Sequence, residues 1–194
     1  MTEQLALVKR QFDESIKLKQ EVQRQFSSQI VRIAQVLSEC VRQGNKIFFC
    51  GNGGSAADAQ HLVTELIVRL RKNSKRKALP ALALSTNTSI LTACSNDLGF
   101  KQVFSRQIEA LGVMCDCLVA ISTSGNSDNV NLACKVAKKK GLKIISLLGN
   151  SGGKQSFLSD YKIIVPSTDS PRVQEVHITI GHIICDLIER NLSK

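Results

Sequence analysis

What most constrains this chain is a repeating alternation: five short, mainly apolar runs, the first four set apart from one another by stretches of helical spacing. The runs are KIFFC (46–50), ALAL (81–84), CLVAI (117–121), KIISLL (143–148) and YKIIV (161–165). A strand that is apolar on both faces must be covered on both faces, and helices between strands supply the cover, so the pattern requires a parallel sheet inside two helical layers. Helical patterns over 55–70, around 88–95 and 100–111, over 127–140 and over 172–191 fill that role. Upstream, Leu5, Val8, Phe12 and Ile16 mark one helix over 3–23, and Ile30, Ile33, Ala34, Leu37 and Val41 a second over 26–43, closed by Gly44 and Asn45. The expected fold is a three-layer αβα, doubly wound, flavodoxin-like five-stranded parallel sheet over 45–194, preceded by a helical hairpin. A length of 194 residues suits one domain, 1–194, with a sizeable core.

Charge and cysteine content narrow the function. The net charge is +10, and RLRKNSKRK at 69–77 concentrates part of it. One Tyr and no Trp leave no aromatic platforms among the basic residues, so no nucleic-acid partner is expected and 69–77 reads as a solvated basic loop. Some of that charge can attract an anionic substrate. No apolar run near the start is long enough for a signal peptide or a membrane span, which points to a soluble, cytoplasmic protein with no membrane partner. Seven cysteines without a C-x-x-C read as reduced packing thiols.

Ligands of doubly wound sheets bind outside the carboxyl ends of the strands, which selects the loops Gly51–Ser55, Ser85–Asn87 and Ser122–Ser127. STSGNS (122–127) offers four hydroxyls at the start of a helix, where unpaired amides and the helix dipole favour an anion. A cap needs only one hydroxyl, which Ser127 could provide, so four suit the oxygens of a phosphate monoester better. CGNGGS fits G-x-G-x-x-A through Gly51, Gly53 and Ala56, but the second strand runs into LALSTNTS, with no carboxylate to hold a ribose. The two loops together fit one phosphorylated sugar better than a dinucleotide.

Acid, base and metal chemistry are available beside them. His61 and Glu65 project about 40° apart on adjacent turns of one helix and can converge on a substrate atom or a metal. The final helix carries Gln174, Glu175, His177 and His182. Gln174 and His182 lie about 80° and about 12 Å apart, close enough for long side chains to meet, whereas His177 is about 140° away and belongs elsewhere.

The motifs CGNGGSAADAQH with Glu65, SNDLGF (Ser95–Phe100), FSRQIEALG, ISTSGNS and RVQEVHITIGHIICDLIE resemble the sugar isomerase (SIS) domain proteins, specifically the phosphoheptose isomerase family, over about residues 25–191. The resemblance implies isomerisation of sedoheptulose 7-phosphate, a phosphorylated seven-carbon sugar, to glycero-manno-heptose 7-phosphate for bacterial heptose and lipopolysaccharide synthesis. It also implies a homotetramer with active sites at subunit interfaces, using the N-terminal helices (1–44), and one zinc per subunit. Carried over, Asn52, Gly53, Gly54, Ser55, Asn96 and Asp97 bind sugar, Ser122, Thr123, Ser124 and Ser127 hold phosphate, and Gln174 also contacts substrate. His61, Glu65, Gln174 and His182 are the metal set, with Glu65 and His182 catalytic. The chain departs from the family in its more basic 69–77 segment, which keeps Arg69, and in Pro171. Two rivals stand beside the isomerase: a non-catalytic SIS protein that binds a partner such as the replication initiator, which lacks the Glu and the final-helix His, and a nucleotide-binding protein.

Overall fold

Each apolar run becomes a strand of a single parallel sheet in the computed structural model, which describes residues 2–193. The strands are β1 (Ile47–Cys50), β2 (Ala81–Ala83), β3 (Cys117–Ser122), β4 (Lys143–Gly149) and β5 (Tyr161–Val165), in the order β2-β1-β3-β4-β5. All four pairings are parallel, with Cys50 opposite Ala120 at the upper end of the β1–β3 pair. The helices are α1 (Glu3–Arg42), α2 (Gly54–Ile67), α3 (Thr88–Asp97), α4 (Ser105–Leu111), α5 (Asp128–Lys139) and α6 (Ser170–Leu192), with short 3-10 turns at Phe100–Gln102 and Lys154–Phe157.

The two faces of the sheet bury separate cores. On one, Ile33 and Leu37 of α1, Leu62 and Leu66 of α2 and Ile180 and Ile188 of α6 pack on Ile47, Val119 and Ile145. On the other, Phe104 and Ile108 of the α4 region and Val130, Ala133 and Ala137 of α5 pack on Phe48, Leu118 and Ile144. This is the expected three-layer arrangement, and the reason the strands are mainly apolar is that both faces are covered. Because the chain leaves β1 toward one edge and β3 toward the other, a crevice opens between their carboxyl ends.

The N-terminal region departs from expectation: the hairpin is one uninterrupted helix of 40 residues, about 60 Å long. The gap between the two expected helices, at 24–25, contains neither Gly nor Pro, and beside it the Ser27 hydroxyl donates to the Gln23 carbonyl one turn back, inside the helix. The second half of α1 packs along α6, whereas residues 2–10 are exposed on all sides and Phe12 and Ile16 remain open to solvent.

The basic segment is also not a wholly solvated loop. The Arg76 side chain is only 2% exposed, because its guanidinium pairs with Glu189 of α6 (3.0 Å) and donates to the Glu65 carbonyl (2.6 Å). A buried charge persists only when paired and hydrogen-bonded in this way. All seven cysteines are free and six are buried, where burial pushes the Cys134 and Cys185 thiols up to about 12. His177 faces away from the crevice, as its position on the helix predicted: it is buried against the Leu148 carbonyl (3.0 Å), and burial lowers it to about 4.

Candidate active site

Three side chains from two helices meet beside the sheet. The Nε2 atoms of His61 and His182 lie 2.8 Å apart with the rings edge to face, and Glu65 Oε1 stands 3.3 Å from His61 Nε2. One donor atom from each of the three falls within 4.8 Å of the other two. His61 and Glu65 reach this point because they are four residues apart on α2. His182 reaches it because its neighbour Gly181 lets α6 press on α2: a Cβ at Gly181 would sit 2.6 Å from the Leu62 side chain. Two imidazoles and a carboxylate are a donor set suited to a divalent metal. Asp58, passed over in the sequence, sits one turn before His61. Burial raises its carboxyl to about 6 against the pull of His61, and its Oδ2 is buried without a partner.

The phosphate-type loop is built as a tight cradle. The Gly125 amide donates to the Ser122 hydroxyl (3.1 Å), and the Asn126 amide to that of Ser124 (3.2 Å). Ser127 does not cap α5; its hydroxyl instead lies 3.2 Å from that of Ser122, so the simple capping reading fails. Ser122 is buried, Thr123 and Ser127 are half-buried and Ser124 is exposed. A third loop, Asn150–Gly153, and the 3-10 turn that follows it brace the cradle: the Gln155 amide donates to the Gly125 carbonyl (2.9 Å) and the Lys154 amide to the Asn126 side chain (3.1 Å). The sequence signal for this support was the Gly-Gly pair after the β4 run.

The first loop is tied to the second. Asn52 and Asn129 exchange paired carboxamide hydrogen bonds of 2.9 and 2.8 Å, so Asn52 bridges β1 to the start of α5. Asn129 was not singled out in the sequence. Gly53 has φ 54°, and Ser55, the second residue of α2, is buried. Gln174 comes over this loop from α6, its carboxamide so close to Gly54 that a Cβ there would lie 2.7 Å from Nε2. Asn96 and Asp97 end α3, exposed, with the Asn96 amide donating to the Asp97 carboxylate (2.7 Å). In the remaining loop, Asn87 caps α3 by accepting from the Ile90 amide (3.0 Å).

Comparison with known proteins agrees with this arrangement. A SIS domain family model matches residues 11–149. The chain is 46% identical over 187 residues to the phosphoheptose isomerase of Clostridium acetobutylicum, covering 95% of this chain and 94% of that one. It is 52% identical over 180 residues to that of Pelodictyon phaeoclathratiforme, covering 92% and 85%. Among solved structures, the phosphoheptose isomerase of Neisseria gonorrhoeae superposes with a TM-score of 0.89 at 42% identity, covering 96% of this chain and 98% of that one. The Francisella tularensis enzyme superposes with a TM-score of 0.93 at 35% identity, covering 98% and 100%. With the sheet order, the loops and near-complete coverage in accord, this chain belongs to the phosphoheptose isomerase family of SIS-domain proteins.

Proposed function

We propose that the chain interconverts sedoheptulose 7-phosphate and D-glycero-D-manno-heptose 7-phosphate through an enediol, in bacterial heptose synthesis for lipopolysaccharide and related glycans. The observation that carries this reading is the convergence of Glu65, His61 and His182 from two helices beside a hydroxyl-lined anion cradle. His61 lies about 10 Å along α2 from Gly54, so a substrate with its phosphate in the loops extends its carbonyl end toward the acid–base group.

Moving a carbonyl by one carbon requires a base for a carbon-bound proton and an acid for the oxygens. Glu65 removes the proton from C1 of the ketose as the C2 oxygen is protonated, which forms the enediol. Transfer of the same proton to C2, with loss of the proton on O1, completes the aldose. His182 serves the two oxygens. Glu65 Oε1 faces His61, leaving Oε2 to meet the carbon-bound proton. The His61, Glu65 and His182 donor set fits one zinc per subunit, and bound zinc would supply Lewis-acid polarisation of the carbonyl oxygen; a fourth ligand from Gln174 would require its carboxamide to leave Gly54. Ser122, Thr123, Ser124 and Ser127 hold the phosphate, while Asn52 to Ser55, Asn96, Asp97 and Gln174 surround the sugar.

The assembly we propose is a homotetramer with active sites at subunit interfaces. Its support is the apolar channel between α1 and α6, about 590 Å³, lined by Ile16, Val22, Ile30, Val176, Ile180 and Ile183, together with the exposed Phe12. Among the described residues no helix is long and apolar enough to cross a membrane. The partner-binding alternative is disfavoured by Glu65 and His182, which a non-catalytic relative does not need.

The decisive experiment is an assay of purified protein with sedoheptulose 7-phosphate, with and without chelator and with zinc restored. Conversion that chelation suppresses and zinc recovers is expected; no conversion under any condition would favour the partner-binding role. In the Ser124→Ala variant, calorimetry should show about ten- to a hundredfold weaker binding of the sugar phosphate, the loss of one hydrogen bond to a charged group. Unchanged affinity would count against the loop as the phosphate site.

A further inference from the structure

The end of α2 is fastened to α6 by a group of charges that lies outside the acid–base cluster. The last carbonyls of a helix lack intrahelical partners and carry the negative end of its dipole. Glu65 lies in the last turn of α2, and its carbonyl accepts from Arg76 Nη2 (2.6 Å). The same guanidinium donates through Nε to Glu189 Oε2 (3.0 Å) and through Nη1 to the Lys77 carbonyl (3.0 Å). Glu189 also accepts the backbone amides of Leu70 (3.2 Å) and Arg71 (3.3 Å), so the turn after α2 wraps around a single carboxylate of α6. Burial pushes the Glu189 carboxyl up, but the Leu70 amide and the Arg76 guanidinium outweigh it and keep it below its ordinary value. Outside this turn, Arg71 pairs with Asp186 of α6 at 2.7 Å on the surface.

These contacts matter because the acid–base cluster is split between the same two helices. Glu65 belongs to α2 and His182 to α6. Several contacts join α2 and the turn after it to α6: Gly181 against Leu62, the Cys185 thiol toward the Leu62 carbonyl, Gln174 against Gly54, Arg71 with Asp186, and the buried clasp of Arg76 with Glu189. Of these contacts it is the clasp that grips the backbone of Glu65 itself, so it bears most directly on rotation and sliding of that residue.

We propose that Arg76 and Glu189 are positioning residues that hold the Glu65 carboxylate in register with His182 and thereby set the turnover of the isomerase, not its affinity for the sugar phosphate. The inference rests on the proposed isomerisation, and it gives the basic segment a role that bulk charge did not suggest. Neither residue contacts the phosphate cradle, which is built from the turns after β3 and β4.

The test compares Arg76→Met, Glu189→Gln, the double variant and Arg76→Lys with the unaltered protein and with Ile108→Ala, a core truncation on the opposite face of the sheet. Steady-state kinetics on sedoheptulose 7-phosphate should show kcat lowered about 10–100-fold in each single clasp variant with KM within about twofold, as expected for small misplacement of a reacting group. The double variant should be no worse than the poorer single one, since both break the same clasp. Arg76→Lys should recover only part of kcat, because an ammonium cannot span Glu189 and two carbonyls as a planar fork does. A second readout does not depend on turnover: calorimetric titration of the metal-free protein with zinc alone should show about tenfold or greater weakening in Arg76→Met. The inference is overturned if kcat and zinc affinity both stay within twofold of the unaltered protein, or if kcat falls no further than in Ile108→Ala at matched thermal stability. An unaltered protein that fails to turn over the sugar would refute the proposed function, and the zinc titration would still decide the clasp.

Discussion

Glu65→Gln is expected to lower the rate of sedoheptulose 7-phosphate isomerisation by a factor of about 10²–10⁴, the usual range for removing a general base. The replacement is nearly isosteric, and the side chain it alters is 16% exposed at the edge of the site and not part of either core. The anchor that Arg76 makes to this residue is to its backbone carbonyl, which the substitution leaves in place. The melting temperature should therefore change little while proton exchange at the substrate carbon stops. Solvent-deuterium incorporation followed by NMR separates the two effects: label entering C1 or C2 at the unaltered rate would remove Glu65 from the proton transfer. A carboxylate shared between a metal and a substrate proton is a weaker base than a free one. The variant therefore also asks whether zinc affinity and turnover fall together.

Gly125→Ala should be the most damaging single-methyl change in the phosphate cradle. Gly125 has φ 65°, and a Cβ there would lie 2.0 Å from the Gly152 carbonyl oxygen and 2.5 Å from its carbon. No rotamer relieves a clash between backbones, and the Gly152–Gly153 turn that would have to retreat is itself in the left-handed region, at φ 81° and 51°. The left-handed conformation costs about 1–2 kcal/mol for a residue with a Cβ, and forced overpacking adds about 1–3 kcal/mol. A stability loss of about 2–5 kcal/mol by denaturant titration follows, together with at least tenfold weaker binding of the sugar phosphate. Gly53→Ala is the natural comparison. It has positive φ as well, 54°, but open space around the added atom, so only the conformational cost of about 1–2 kcal/mol applies. If the two variants are equally stable, the packing of the third loop on the cradle is not what holds it.

The sheet was legible in the sequence because a buried parallel strand leaves a local record: KIFFC and KIISLL are apolar at nearly every inward position on both faces, Ser146 being the buried exception. His61 and Glu65 were legible for the same reason, since their spacing on one helix is a local property. What lay beyond reach depended on partners distant in the chain. Nothing near Arg76 in sequence announces that its guanidinium is buried, because the carboxylate that allows it is 113 residues away. The 2.8 Å meeting of His61 with His182 joins residues 121 apart, and helical periodicity alone could place Gln174 and His182 on neighbouring faces without showing that Gln174 would lie over Gly54. The N-terminal hairpin failed in the opposite way. Two apolar patterns, over 3–23 and 26–43, read as two helices, although the residues between them are compatible with one helix whose buried face continues through Val22 and Ile30.

The division of the acid–base cluster between α2 and α6 also orders events in time. During synthesis the β1 and β3 loops emerge first, and a nascent chain that has reached β5 already contains His61, Glu65 and the whole hydroxyl cradle. It does not yet contain His182, Gln174 or Glu189. The long α1 meanwhile waits for the same helix to cover its apolar side. Arrival of α6 therefore does two jobs in one folding step: it closes the larger core and brings His182 to His61 and Glu65, completing the proposed catalytic group. A growing polypeptide organised in this way holds no complete His61–Glu65–His182 group until its larger core can close.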